Sequence, residues 1–180
     1  MISSAFENFV DPLEAEGFGA WYEDTSEGSP ISSLFAVMHV DEKNRRYVVQ
    51  AIDARELAEK AFPEAEKLPM PLLQIAMQFP FEVPALCFAD TARILHRLNV
   101  IIPVGGFILS EEDGTVCYRA IAPLNEAGLS VEGFVSTLKI IRYFCVESAG
   151  LIEAIATAQM SYTDATDLIK NSQLPEQFNV

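Results

Sequence analysis

One tight turn between two runs of alternating polarity constrains this chain more than any other feature. Within residues 99–124 (NVIIPVGGFILSEEDGTVCYRAIAPL), Asp113-Gly114 is the pair that a two-residue type I′ turn favours, because both central residues of that turn take a positive φ. A turn at this pair sets Leu109 opposite Tyr118. We therefore predict a β-hairpin with one apolar face, which comprises Phe107, Leu109, Val116, Tyr118, Ala120 and Ala122.

Composition and charge exclude several classes of protein. Half of the 180 residues are hydrophobic and only 21% are charged, as in a packed globular domain. The formal charge is −14, from 26 acidic and 12 basic residues, so nucleic acid and anionic membranes are not expected as partners. Two interpretations of the charge stay open, since it either keeps the protein soluble or attracts a basic partner.

The cysteines and the absence of a targeting pattern indicate the compartment. Cys87, Cys117 and Cys145 are an odd number of widely separated thiols, which is typical of a reducing compartment. His39 and His96 lie far from every cysteine and no CxxC occurs, so no zinc site is predicted. The chain has no signal-peptide pattern and no apolar run of about 18 residues. We expect a cytoplasmic protein.

The remaining elements follow from periodicity and from capping residues. The sequence predicts helices over residues 5–16, 55–62, 84–98 and 131–160, and strands over residues 34–39, 47–52 and 73–81. The first helix is predicted to break at Asp11-Pro12, and the last, about 45 Å long at 1.5 Å per residue, can bend at Gly150. Trp21 and Tyr22 are predicted to lead into a loop.

This order of elements predicts an α+β fold. Strands in antiparallel hairpins and segregated helices give a sheet of about five strands with the order α-β-β-(α)-β-α-β-β-α. We predict one domain over residues 1–160, followed by a C-terminal tail over residues 161–180 that is weakly helical or loosely packed.

Two elements carry more apolar surface than one packed face requires. In the strand over residues 34–39, Phe35 and Val37 lie on one face and the other apolar residues on the opposite face. On the last helix, Ile140 and Phe144 lie beside the main apolar stripe. Either all of this surface is buried, or part of it contacts a second copy or a partner.

The chain resembles the YbjN family in three successive segments, LQIAMQFPFEVP, RILHRLNVIIPVGGFIL and EEDGTVCYRAIAPL. The resemblance covers residues 4–158 and extends to small uncharacterised cyanobacterial proteins with this fold. It implies the type III secretion chaperone-like fold, with the order α-β-β-β-α-β-β-α. It also implies a regulatory role without an assigned active site, or, as in type III chaperones, an acidic cytoplasmic dimer that holds an extended segment of another protein.

Motifs for chemistry are weak. Gly105-Gly106 lies between a helix and a strand, whereas a phosphate loop precedes a helix. The carboxylates of residues 111–113 lack the spacing of a calcium loop and fit a solvated turn. His39 and His96 have no nucleophile near them in sequence, although pairing in space with a cysteine stays open. We predict no catalytic, cofactor-binding or metal-binding residue.

A protein-binding function is therefore expected. We predict a non-enzymatic module, chaperone-like or regulatory, that binds another protein or forms a homodimer. The alternative is a small-molecule-binding protein or enzyme with its site in a cleft between the sheet and the long helix. The predicted partner surface comprises Leu73, Ile75, Met77, Phe79, Phe81, Ile140 and Phe144.

Overall fold

The computed structural model describes residues 3–26, 31–64, 72–123 and 130–171. Its helices are α1 Val10–Ala15, α2 Ala54–Ala61, α3 Phe88–Ile101, α4 Val131–Ala156 and α5 Tyr162–Asn171. Its strands are β1 Gly19–Glu23, β2 Ser33–Val40, β3 Arg46–Asp53, β4 Leu72–Glu82, β5 Gly106–Leu109 and β6 Thr115–Pro123. Short 3-10 helices, Ser3–Phe9 and Ala85–Cys87, precede α1 and α3.

The strands form one antiparallel sheet in the order β1-β2-β3-β4-β6-β5. This confirms the α+β class, with six strands in place of the five predicted. The additional strand is β1, whose Trp21 was predicted to lead into a loop. Five residues are too few to show a reliable alternation, and pairing with β2, which sets Trp21 opposite Phe35, holds them extended.

The predicted hairpin is formed by β5 and β6, but its register and turn differ from the prediction. Leu109 lies opposite Val116, two residues from the predicted partner. The N–H of Ser110 donates to the carbonyl of Thr115 (2.9 Å), so the turn has four residues and only Gly114 among them takes a positive φ, of 72°. A shift of two residues keeps the same side chains on each face, so the apolar face of the hairpin is retained.

The breaks in the helices lie where backbone hydrogen bonding allows them. The first helical segment changes from a 3-10 helix to an α-helix at Val10, which is upstream of the predicted break. Pro12 therefore lies in the first turn of α1. Backbone N–H groups in that turn have no partner within the helix, so the missing N–H of proline costs no hydrogen bond there. Asp53 caps α2 as predicted, accepting from the N–H of Arg55 (3.0 Å). Helix α4 continues through Gly150 and ends at Ala156, about 39 Å long at 1.5 Å per residue.

The structure separates into two compact units. Unit 1 comprises Met1–Met77 and Ala120–Arg142, and unit 2 comprises Gln78–Arg119 and Tyr143–Val180. Strands β4 and β6 and helix α4 each contribute residues to both units. The single domain over residues 1–160 stays a prediction.

Unit 1 has an aromatic core beneath the first strands. The rings of Phe9 and Phe134 meet edge to face with centroids 5.4 Å apart, and a salt bridge of 2.6 Å joins Glu16 to Lys139 at the surface. The fully buried apolar residues of its sheet are Leu34, Ala36, Val49, Ala51, Leu73, Ile75 and Met77.

Unit 2 is built around Phe107, whose ring contacts Phe79 and Tyr118 with centroids 5.7 and 5.5 Å away. It also contains α5, which falls within the predicted tail. Ala165 and Thr166 of α5 are buried. The tail over residues 161–180 stays a prediction. Residues 172–180 of the predicted tail lie outside the described residues.

Candidate protein-binding surface

Most of the predicted partner residues on β4 lie in the interior. Leu73, Ile75, Met77 and Phe79 are each 1% exposed, and Phe81 is half-buried. The alternation in the sequence does correspond to a β-strand, but its apolar residues lie on the covered face of the sheet. The first four side chains are core residues and are not available to a partner in this fold.

The predicted partner residues on α4 lie nearer the surface. Ile140 is 43% exposed, while Phe144 is half-buried. Ile140 therefore remains a candidate contact for a second copy or another protein.

The structure shows a second apolar surface, on the opposite face of the sheet in unit 1. Direct cross-strand pairs place Trp21 beside Phe35, and Val37 beside Val48. Each of these side chains is exposed or half-buried, whereas the neighbours of Phe35, Val37 and Val48 on the other face are buried. We call this surface the outer patch, and it comprises Trp21, Phe35, Val37, Val48, Gln50 and Ala76.

Polar contacts and aromatic stacking order the outer patch. The rings of Trp21 and Phe35 stack with centroids 5.1 Å apart and planes 12° from parallel. Gln50 donates from Nε2 to the hydroxyl of Ser33 (2.9 Å). Ser33 and Ile52 lie on the same face but are buried, so the accessible part of this face ends before them.

The sheet ends differently at its two edges. At the β5 edge, the Asn99 amide pairs with the backbone of Phe107, donating from Nδ2 to the carbonyl (3.0 Å) and accepting from the N–H (2.7 Å). These are the groups that an added strand would need. At the β1 edge, the sheet order gives β1 one strand neighbour, β2, among the described residues. The β1 edge next to the outer patch is therefore the one suited to strand addition.

Burial makes two of the three cysteine thiols poor nucleophiles. Burial raises the pKa of the Cys145 thiol far above its ordinary value of 9.0 and that of Tyr118, which donates to the Val104 carbonyl, to about 12. Burial also raises the pKa of Cys117, and the charge of Asp113 adds to this. These thiols are held in the protonated, unreactive form. No group of three His, Cys, Asp or Glu suited to a metal ion occurs in the described part of the chain.

Comparisons with known proteins give no family. No protein-family model matches the chain, and no curated protein matches it. Among the helices of the described residues, none has the length and apolar character to cross a membrane.

Sequence reasoning identified two members of the outer patch, Phe35 and Val37, as surplus apolar residues. It missed Trp21, Val48 and Ala76. The sequence did contain a signal for β1, because its single tryptophan stands next to Tyr22 and aromatic residues are enriched in strands. The segment has only five residues, which is too short for this signal to predict a strand.

Proposed function

We propose that this protein is a non-enzymatic, cytoplasmic protein-binding module that holds an extended segment of a partner against the outer patch and the β1 edge. The observation that carries the proposal is the contrast between the faces of β2, where Leu34 and Ala36 are each 1% exposed while Phe35 and Val37 are only half-buried. An apolar sheet face beside an edge strand is a surface to which peptides bind by strand addition.

Three further features support the proposal. The order of elements agrees with the chaperone-like order implied by the YbjN resemblance, apart from β1, α2 and α5. Cys87, Cys117 and Cys145 are free thiols, as is usual in the cytoplasm. The raised pKa values of the Cys117 and Cys145 thiols disfavour either of these two as a nucleophile.

The test is a comparative capture from lysate of the source cells. Val48→Lys places a charge in the middle of the outer patch, and Ile108→Lys places the same charge on β5, where Ile108 is 46% exposed. We expect at least one protein captured by the wild type and by Ile108→Lys to be reduced roughly tenfold or more with Val48→Lys, the effect of disrupting a binding hot spot. Quantitative mass spectrometry of the captured proteins measures the difference.

Circular dichroism and thermal unfolding establish that both variants are folded before capture. Proteins retained equally by all three baits are background. If Val48→Lys captures the same set of proteins in the same amounts as the wild type, the outer patch is not the partner surface and the proposal fails.

A further inference from the structure

The β1 strand repeats one arrangement on each of its faces. On one face, Trp21 donates from Nε1 to the Glu23 carboxylate (2.9 Å). On the other, the Tyr22 hydroxyl donates to the Asp24 carboxylate, just beyond the strand (3.2 Å). Each aromatic ring is therefore followed, two residues later, by a carboxylate that it contacts. A ring face next to a carboxylate is an environment that favours a Lys or Arg side chain.

The carboxylates of Glu23 and Asp24 accept hydrogen bonds from neutral groups, whereas Glu16 and Asp41 form salt bridges with Lys139 and Arg45. The first 42 residues contain nine Asp and Glu residues and no Lys or Arg. The neutral donors to Asp24 are the N–H of Thr25 (2.7 Å) and the hydroxyls of Tyr22 and Ser32. These bonds, that of Thr25 first, lower the pKa of Asp24 below its ordinary 3.8, so its charge persists into more acidic solution.

We propose that the segment held at the β1 edge is an extended stretch of another protein that contains Lys or Arg at alternate positions. This inference rests on the proposed function and names the chemistry of its partner. Added as a strand, such a segment uses its backbone to pair with β1. Its basic side chains, which share one face, contact Glu23 and the ring of Trp21, which is 38% exposed. Asp24, on the other face, adds to the negative potential of the edge.

A second copy of the chain fits this edge poorly. Two copies paired through β1 would bring together two edges that each carry the carboxylates of Glu23 and Asp24. Like charges brought together across a strand pair are destabilising. The charge of the edge thus selects a basic partner over self-association through β1.

Defined peptides test the inference directly, because Trp21 is the only tryptophan and its fluorescence reports on this surface. The probes are three peptides of about six residues, enough to span β1, in which Val alternates with Arg, with Thr or with Glu. We expect the Arg peptide to bind at least about tenfold more tightly than the Thr peptide, and the Glu peptide not to bind. Raising NaCl from about 0.05 M to about 0.5 M should weaken the Arg peptide severalfold.

Matched variants locate the effect. Glu23→Gln with Asp24→Asn removes two charges at the edge, and Glu111→Gln with Glu112→Gln removes two at the β5–β6 turn. We expect the first pair to weaken the Arg peptide about tenfold and the second pair to change its affinity less than about twofold. Because Asp24 also orders its own loop, Glu23→Gln alone is the second variant, with an expected loss of about threefold. N-methylation of alternate amides in the Arg peptide should abolish binding, since it removes the strand pairing.

The outcomes separate this inference from the function on which it rests. Equal binding of the Arg, Thr and Glu peptides overturns the preference for a basic segment and leaves the partner surface supported. Binding of the N-methylated peptide as tightly as its parent overturns strand addition. If no peptide perturbs Trp21, the inference fails, and the capture experiment alone decides the proposed function.

Discussion

Asn99 closes one edge of the sheet with a single side chain. Its amide makes the two hydrogen bonds that a neighbouring strand would make to Phe107. Gly106 leaves room for this contact, because a Cβ there would lie 3.0 Å from Asn99 Oδ1 and would push against the amide. Asn99 and Gly106 thus have a physical explanation, which is protection of the β5 edge.

Replacing Asn99 with Asp tests this explanation at almost constant volume. The carboxylate still accepts from the Phe107 N–H but repels its carbonyl, so we expect a loss of about 1–3 kcal/mol in the free energy of unfolding. Urea unfolding at neutral pH measures it. The matched control is Gln78→Glu, the same amide-to-carboxylate change at an exposed strand position, which should cost less than about 0.5 kcal/mol. Equal losses would show that added negative charge, and not the edge contact, is responsible.

At the scale of elements, α5 is attached to α3 by an aromatic ring between two arginines. The Arg93 guanidinium lies 3.5 Å from the centroid of the Tyr162 ring, and Arg97 donates from Nε to the Tyr162 hydroxyl (2.8 Å). The hydrogen bond from Arg97 is the main cause that lowers the pKa of Tyr162 below its ordinary 10.0. Polar contacts thereby hold a short, mostly polar helix in which Ala165 and Thr166 are the buried residues.

Removing the Tyr162 hydroxyl should loosen α5 without unfolding the protein. Tyr162→Phe keeps the ring over Arg93 and loses the hydrogen bond from Arg97. We expect amide hydrogen exchange in α5 to accelerate about fivefold, corresponding to roughly 1 kcal/mol. The effect should grow as the pH rises towards 10, because the folded state favours the phenolate and gains stability above the lowered pKa of Tyr162.

The control for this prediction is Tyr143→Phe on α4, where the ring is 62% exposed. Exchange in α5 should be unchanged in that variant at every pH. An α5 whose exchange is equally slow with and without the Tyr162 hydroxyl would mean that apolar packing alone holds the helix.

For the whole molecule, the open question is self-association. The homodimer predicted from the sequence stays a prediction, and the acidity of the β1 edge directs it to another surface, for which the exposed Ile140 on α4 is the candidate. We expect light scattering across a dilution series to show a dimer, and Ile140→Lys to shift it to the monomer by at least about tenfold in dissociation constant. Trp21 emission should stay constant throughout.

Ile108→Lys serves as the control, because it adds the same charge at an apolar residue of similar exposure without touching α4. A wild-type protein that is monomeric at every concentration would contradict the dimer. A shift in Trp21 emission that follows the change in mass would place the second copy on the outer patch, against the basic-partner inference.

Local pattern was enough to predict the class of fold and several elements within it. The β2–β3 and β5–β6 hairpins, the Asp53 cap of α2 and the long helix after Ser130 depend on interactions between residues close in sequence. Interactions of this kind produce sequence patterns that can be recognised without the structure. The order of elements around Gly105-Gly106 likewise differs from that of a phosphate loop, and the contact of Asn99 with Phe107 gives this segment a structural role.

The location of the candidate surface was not readable in this way. Residues 73–79 alternate between apolar and other side chains, and this pattern is the same whether the apolar face is buried or binds a partner. The elements packed over that face place it in the core. The same packing leaves Phe35 and Val37 half-buried and brings Trp21 beside them through a strand too short to recognise. Which face of a sheet is covered depends on elements distant in the chain, so exposure, and with it the surface available to a partner, is a property of the folded molecule.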